Sequence, residues 1–246
     1  MLAIIGGSGL SQLRGLEIVR REVVRTPYGE PSCPVSIGRL KGRPTVFLAR
    51  HGYGHTIGPH EINYRANLWA LKQQGAHSIV SVAAVGGISS ELVPGTLVVP
   101  DQIIDYTWGR KHTFFEGEAP VTHIDFTEPY ATEVRSRILK AADECGEPMR
   151  DGGVYAVTQG PRLETAAEVD RLARDGATLV GMTGMPEAAL ARELDLPYAA
   201  IAVVANFAAG RGDSRQRIDL AMLDQVLRIG MARVARIAEQ LVEYGE

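Results

Sequence analysis

Residues 181–206, GMTGMPEAALARELDLPYAAIAVVAN, decide the fold of this chain. The stretch predicts a capped helix followed by a buried strand. We expect Thr183 to cap the helix and Glu187 to favour its N-terminus, where a carboxylate complements the helix dipole. The nearly continuous apolar run 198–205 is typical of a strand covered on both faces. Asn206 then stands at the carboxyl end of that strand, where open α/β sheets bind their ligands.

The same alternation of strands and helices extends outward from this stretch over the whole chain. Apolar runs predict further strands at 2–5, 45–49, 79–85, 96–104 and 153–158. Helical periodicity predicts helices at 61–75, 128–145, 165–174 and 218–244. Residues 17–48 alternate polar and apolar positions between turns, which fits a meander or hairpin. The fold class is therefore α/β, a single domain over residues 1–246 with three layers, α/β/α.

Composition narrows the classes of function. The 246 residues are 45% hydrophobic and 22% charged, as in ordinary globular proteins, and the net charge of −3 disfavours a nucleic-acid partner. No apolar run is long enough to span a bilayer, and because Met1 leads straight into LAIIGGSG we expect no signal peptide. Without a predicted span we expect no membrane partner. Cys33 and Cys145 lack metal or redox spacing, so we expect free thiols and a cytoplasmic location.

Two predicted strand ends carry groups suited to an anion. Gly6, Gly7 and Ser8 follow the first strand, where glycines permit close approach of backbone N–H groups, although a turn requiring positive φ explains them equally well. Arg50 and His51 follow the strand 45–49; a guanidinium offers paired N–H donors and an imidazole a third. The alternative is a solvated loop with a structural histidine. The glycines match neither a Walker loop nor the GxGxxG dinucleotide pattern, which disfavours a nicotinamide-dependent oxidoreductase.

Two further features have open interpretations. Residues 105–127 predict a long irregular loop, which either covers an active site or is merely pinned down by its own aromatic side chains. Glu164 precedes a predicted helix, where it either serves a ligand or simply complements the helix dipole.

Several motifs, taken in order, resemble the trimeric purine nucleoside phosphorylase and methylthioadenosine phosphorylase family. They are IIGGSGL, LARHG, NYRANLWAL, AVGG, GPRLET, GMTGMPE and IAVVAN. The resemblance covers essentially the whole chain. It implies a distorted, mostly parallel central sheet, a homotrimer with active sites near subunit contacts, and inorganic phosphate as cosubstrate, with no metal or other cofactor. The implied reaction is phosphorolysis, in which phosphate attacks C1′ of a purine nucleoside.

The resemblance also assigns roles to positions of this chain. The implied phosphate-binding residues are Ser8, Arg50, His51, Ala83, Ala84 and Thr183. Met182 is expected under the ribose and Leu163 against the base. No side-chain nucleophile is implied, because the phosphate itself attacks. Catalysis then requires held phosphate, an oriented sugar and a stabilised purine anion.

The base site carries the clearest departure within the family. Adenine-specific members have an Asp-x-Asp pair after the buried strand, whereas this chain has Asn206, Phe207 and Ala208. The Asn206 amide, the expected catalytic group, can donate to O6 and accept from protonated N7. Glu164 matches the carboxylate that accepts the N1 proton of a 6-oxopurine. An adenine would leave it unpaired, so hypoxanthine-type bases are expected.

The sugar site resembles the methylthio branch of the family. Leu223, Val226 and Leu227 are apolar where nucleoside enzymes offer a histidine; the alternative is that the leucines of this segment are helix core. His123 matches a position near the subunit contact. Together the two sites predict phosphorolysis of 5′-methylthioinosine to hypoxanthine and 5-methylthioribose 1-phosphate. Inosine or guanosine phosphorolysis, methylthioadenosine phosphorolysis and a non-enzymatic nucleoside-binding role remain as alternatives.

Overall fold

A computed structural model describes residues 1–117 and 120–244 of the chain. Within these residues, eleven strands form one sheet. The strands are β1 Leu2–Gly6, β2 Leu16–Glu22, β3 Val35–Leu40, β4 Arg43–Ala49, β5 Ser78–Gly87, β6 Leu97–Val99, β7 Gln102–Asp105, β8 Met149–Asp151, β9 Val154–Val157, β10 Leu179–Gly181 and β11 Tyr198–Phe207. The helices are α1 Tyr64–Gln73, α2 Thr132–Glu144, α3 Ala166–Arg174, α4 Glu187–Glu193 and α5 Leu220–Leu241.

The sheet is mixed and branched. Its main path runs β2-β3-β4-β1-β5-β10-β9-β7, while β11 pairs with both β5 and β6, and β6 also pairs with β8. Among the described strands six pairings are parallel and four antiparallel. Because β5 pairs with β1, β10 and β11, the sheet cannot stay a simple ladder. The predicted α/β fold is therefore confirmed.

The pair β5–β11 forms the centre of the molecule. Both strands have ten residues, and most of their side chains are buried, as the continuous apolar run at 198–205 predicts. The pairing runs in register from Tyr198 to Val204 and then slips, so that Ala205 is an extra residue before Asn206. A bulge of this kind bends the strand and redirects the side chain that follows. It lies one residue before the amide predicted to meet the base.

Helices cover the sheet in two packed pairs, α1 with α4 and α2 with α5, and α2, α4 and α5 lie against β11. Each long helix buries one apolar side and exposes the other, which is the pattern that its periodicity predicts. No helix in the described part of the chain is long and apolar enough to cross a membrane.

Two local predictions are corrected by the structure, and one strand was missed. Thr183 does not cap a helix, because residues 182–186 form a non-helical turn and α4 begins at Glu187 with Pro186 as its N-cap. The predicted strand 96–104 is two strands, separated where the Asp101 carboxylate accepts from the Gly153 N–H at 2.8 Å. The short strand β8 is not predicted, because its residues are charged and partly exposed.

Candidate active site

A cavity of about 500 Å³ opens at the carboxyl ends of β1, β4, β5, β10 and β11. It collects most of the residues that the sequence singles out, from positions far apart in the chain. These are Ser8, Arg50, His51, Ala83, Ala84, Leu163, Glu164, Met182, Thr183, Asn206, Ala208 and Leu223. The location agrees with the rule that ligands of open α/β sheets bind beyond the strands' carboxyl ends.

The glycine turn after β1 is shaped by close packing. A Cβ at Gly6 would lie 2.0 Å from the Leu10 carbonyl oxygen, and one at Gly7 would lie 2.4 Å from the Val82 carbonyl oxygen. Neither glycine has a positive φ, so the turn explanation holds for Gly9 alone, at φ +81. The backbone of this turn therefore lies directly against β5 and brings Ser8 to the cavity wall.

Arg50 lies beneath the cavity and is fully buried in a tight ion pair. Its Nε and Nη2 donate to the two carboxylate oxygens of Glu187 at 2.6 and 2.8 Å, and Glu187 also accepts from Ser81 and Tyr198 at 2.8 Å each. Burial lowers the pKa of the Arg50 guanidinium, but the adjacent carboxylate outweighs it and leaves the pKa raised. The expectation that Arg50 presents paired donors to an anion is therefore wrong, because Glu187 takes that edge. Nη1, which donates to the Val82 carbonyl at 3.0 Å, is the nitrogen beside Gly7.

His51 is neutral in this environment. Burial and then the nearby Arg50 charge lower the pKa of His51 to about 4. Its Nδ1 lies 2.8 Å from the Ile57 carbonyl oxygen, which can only accept, so Nδ1 carries the proton. Nε2 is then an acceptor, which corrects the expectation of a third N–H donor. A neutral His51 can accept a hydrogen bond from a protonated phosphate oxygen.

Asn206 and Ala208 lie at the end of β11, on the cavity wall. Nδ2 of Asn206 donates one hydrogen to the Phe207 carbonyl at 2.6 Å, which orients the amide. A carboxamide has a second N–H and an acceptor oxygen for a ligand. Ala208 is 2% exposed and packs against Gly86, where a Cβ would lie 3.2 Å from its Cα. The wall therefore presents one amide and no carboxylate at 206–208.

Glu164 lies on the loop between β9 and α3 and lines the same cavity. One of its carboxylate oxygens accepts from the Thr158 hydroxyl at 2.5 Å. The N-terminus of α3 is served by a capping box, in which Thr165 and Glu168 bond to each other's backbone N–H groups. Glu164 is thus not needed to cap the helix, and its carboxylate lies both at the helix start and on the cavity wall.

Comparison with known proteins agrees with this arrangement. The family model described as the phosphorylase superfamily matches residues 1–243.

The chain belongs to the phosphorylase superfamily.

A probable S-methyl-5′-thioinosine phosphorylase of Pseudomonas syringae pv. tomato is 54% identical over 233 residues, covering 94% of each chain. The 6-oxopurine nucleoside phosphorylase of Pyrococcus furiosus is 47% identical over 85% of this chain and 80% of that protein. A structure of methylthioadenosine phosphorylase from Schistosoma mansoni with adenine has a TM-score of 0.94 and 33% identity, over 98% of this chain and 90% of that chain. The predicted resemblance is confirmed.

Four predicted site residues of this superfamily member lie outside the cavity lining: Phe207, His123, Val226 and Leu227. Phe207 follows Asn206 on the strand and lies against Gly212, where a Cβ would meet its ring at 2.4 Å. His123 is exposed, while Leu227 is 5% exposed and packs in the core near Gly9. The alternative that the leucines of this segment are helix core is correct for Leu227, whereas Leu223 reaches the cavity.

Sequence reasoning missed several groups of this phosphorylase fold. The unpredicted cavity residues include His55, His60, Glu61, Pro161 and Ile218. The His55 ring lies 4.5 Å from that of His51, and its Nε2 is 3.4 Å from the Ser8 hydroxyl. The motif RHGYGH contains this histidine and could have suggested it. Buried Glu187 and Arg110 had no such signal, because their roles depend on contacts between distant segments.

Proposed function

We propose that this phosphorylase converts S-methyl-5′-thioinosine and phosphate to hypoxanthine and 5-methylthioribose 1-phosphate, in purine salvage. The single observation that carries the proposal is the purine end of the cavity, where Asn206, Ala208 and Glu164 lie together beside the predicted phosphate residues. An amide and a carboxylate complement a 6-oxopurine, which has an acceptor at O6 and a proton on N1. A site built for these groups strongly rejects a base that leaves one of them unpaired.

We infer the phosphate subsite at the strand ends. Its proposed residues are Ser8, Arg50, His51, Ala83, Ala84 and Thr183. Ser8 and Thr183 offer hydroxyls, the turn after β1 and the end of β5 offer backbone, and neutral His51 accepts from a protonated phosphate oxygen. Phosphate held here attacks C1′ of the sugar as the bond to the purine breaks, so that positioning and electrostatics supply the catalysis. We propose that no metal or other cofactor takes part.

At the base, we propose that Asn206 donates to O6 and accepts from N7 once that nitrogen is protonated. This proton stabilises the departing purine, so Asn206 is the proposed catalytic residue. Glu164 accepts the N1 proton through the carboxylate oxygen that Thr158 does not use. Leu163, which is 42% exposed, packs against the purine ring.

At the sugar, we propose Met182 under the ribose and an apolar pocket for the 5′ substituent. Leu223 and Ile218 line the cavity and favour a methylthio group by about 1–3 kcal/mol over a hydroxyl. Exposed His123 lies outside the lining, so it would reach a substrate only across a subunit contact. We therefore propose a homotrimer in which His123 approaches the 5′ substituent bound by a neighbouring subunit. We also propose a cytoplasmic location.

A second candidate is a phosphorylase for inosine and guanosine. It is favoured by the 47% identity to the Pyrococcus furiosus 6-oxopurine nucleoside phosphorylase. Methylthioadenosine as the preferred substrate is disfavoured by Ala208, which removes the carboxylate that an adenine amino group would use. A nucleoside-binding protein without turnover is disfavoured by the phosphate-side residues, which line the cavity together.

The test is a comparison of kcat/KM for methylthioinosine, methylthioadenosine and inosine in phosphate buffer. We expect methylthioinosine to be the best substrate, with the base released only when phosphate is present. Faster turnover of methylthioadenosine would contradict the assignment of the base site, and faster turnover of inosine that of the sugar site. Release of no base from any of the three would favour the binding protein. Sedimentation equilibrium measures the subunit number, which we expect to be three.

A further inference from the structure

Arg110 is a buried arginine in the irregular segment that follows β7. Arg110 is 7% exposed, whereas Trp108, two residues earlier, is 72% exposed. The guanidinium has six acceptors within hydrogen-bond distance, all of them neutral. They are the carbonyls of Thr158, Gln159, Met182 and Met185, the Gln159 side-chain oxygen and the Tyr64 hydroxyl, at 2.6–3.3 Å.

These acceptors lie on or beside three segments of the chain that line the cavity. Thr158 and Gln159 begin the loop that carries Leu163 and Glu164. Met182 and Met185 flank Thr183 in the turn before α4. Tyr64, at the start of α1, in turn donates to the carbonyl of Pro59, a cavity residue, at 2.9 Å. One guanidinium therefore joins the base loop, the sugar and phosphate turn, and the wall formed by residues 55–61.

The contacts require arginine rather than any cation. A guanidinium directs five N–H groups from three nitrogens in one plane, whereas a lysine ammonium directs three from a single point. Within residues 1–117 and 120–244, no carboxylate lies within 4.0 Å of Arg110 to fix it by charge alone. The Arg110 guanidinium is held by the backbone carbonyls of these segments, and it in turn holds the segments in place relative to one another.

We propose that Arg110 is a positioning residue, which fixes the loop of Glu164 relative to the turn of Met182 and Thr183. This inference rests on the proposed function, because the distance between the base contact at Glu164 and the sugar contact at Met182 must match the dimensions of a nucleoside. A misplacement of about 1 Å in such an arrangement costs on the order of 100-fold in rate. Arg110 itself touches no substrate in this arrangement, since it is not part of the cavity lining.

The test is Arg110→Lys in the full-length chain, with Arg162→Lys as the matched control. Arg162 lies on the same loop, but it is exposed and pairs with Glu168. For Arg110→Lys we expect kcat to fall by about 100-fold and the preference for methylthioinosine over methylthioadenosine to fall by about 10-fold. Arg162→Lys should leave both within about threefold, as is usual for an exposed pair. A purely structural role would lower activity only with the folded fraction and leave the preference unchanged; that outcome overturns the proposal.

A milder variant keeps the test decisive if Arg110→Lys does not fold. Tyr64→Phe removes one acceptor of Arg110 and the bond to Pro59, with Tyr244→Phe as the control at a half-buried tyrosine outside the cavity lining. We expect kcat to fall by about 3- to 10-fold at an unchanged unfolding temperature; an unchanged kcat and preference overturn the proposal. If the wild type turns over no nucleoside, the proposed function fails separately. Arg110 is then tested by calorimetric binding of hypoxanthine, which should weaken in the variants and not in the controls.

Discussion

The two sides of the cavity are built differently. The proposed phosphate side is formed by strand ends and by the buried Arg50–Glu187 pair, and its backbone is fixed by the ladders of β1, β4, β5 and β11. The base and sugar side is formed partly by loops, which are held by individual contacts such as Thr158–Glu164 and those of Arg110. The sheet thus fixes the side that the proposed reaction always uses, which we call the strand side. We call the proposed base and sugar side, to which the end of β11 and the start of α5 also contribute, the loop side; it carries the contacts where substrates differ.

This difference has a consequence for changing the protein. Substitutions on the strand side disturb folding and catalysis together, because the same buried contacts support both. Substitutions on the loop side should change which nucleoside is used while the sheet stays intact. The following predictions test that separation, in order of decreasing effect.

The largest effect is expected for Glu187→Ala. The substitution leaves the Arg50 charge buried and without its carboxylate, which costs about 3–5 kcal/mol of unfolding free energy. Urea denaturation measures the loss. The control is Glu116→Ala, a glutamate that pairs with Arg65 and Lys111 at the surface, where a loss below about 1 kcal/mol is expected. Equal losses in the two variants would remove the basis of the comparison.

The next effect is a dependence of stability on pH through His51. Its pKa is about 4 in the folded protein and about 6.5 in the unfolded chain, so the unfolded chain binds more protons between these values. Stability is therefore lost as pH falls from about 6.5 to 4, by up to about 3 kcal/mol. In His51→Asn the urea denaturation midpoint should change less with pH over this window than in the wild type. The exposed-histidine control, His112→Asn, should retain the wild-type slope; a flattened slope there would contradict the assignment.

A change of base preference is expected for the double substitution Asn206→Asp and Ala208→Asp. It restores the carboxylate pair of adenine-specific members, so the ratio of kcat/KM for methylthioinosine to methylthioadenosine should fall by about 100-fold, or about 2.7 kcal/mol. Ala209→Asp lies one residue beyond the cavity wall and serves as the control, with an unchanged ratio. An unmoved ratio in the double variant would show that the end of β11 does not select the base.

The smallest effect is expected at the 5′ substituent. Leu223→His places a polar ring in the apolar part of the cavity and should shift preference from methylthioinosine toward inosine by about 1–3 kcal/mol. Leu220→His, on the same helix at a position 63% exposed, should leave the preference unchanged. Thermal unfolding should change little in either variant. A shift of the same size in both would mean that Leu223 acts through the helix and not through the substrate.

The strand side was also the part that sequence predicts well. Apolar runs mark buried strands, and the polar residues that end them, Ser8, Arg50, His51 and Asn206, reach one cavity because parallel strands end at the same edge. The roles of Glu187 and Arg110 were not predicted, since Glu187 pairs with a residue 137 positions away and Arg110 bonds to residues up to 75 positions away. Val226 and Leu227 were placed in the cavity from a resemblance to the family's 5′ pocket segment and from their apolar character, which does not distinguish a pocket wall from helix core.

The extra residue in β11 connects strand length to chemistry. Ala205 is unmatched by β5, and side chains alternate faces along a strand. A chain lacking that one alanine would keep the asparagine opposite Gly86 in a regular ladder, but it would lose the bend that the bulge imposes just before the amide. Deletion of Ala205 should therefore move the Asn206 amide and weaken nucleobase recognition, even though every residue proposed to contact the ligand is kept.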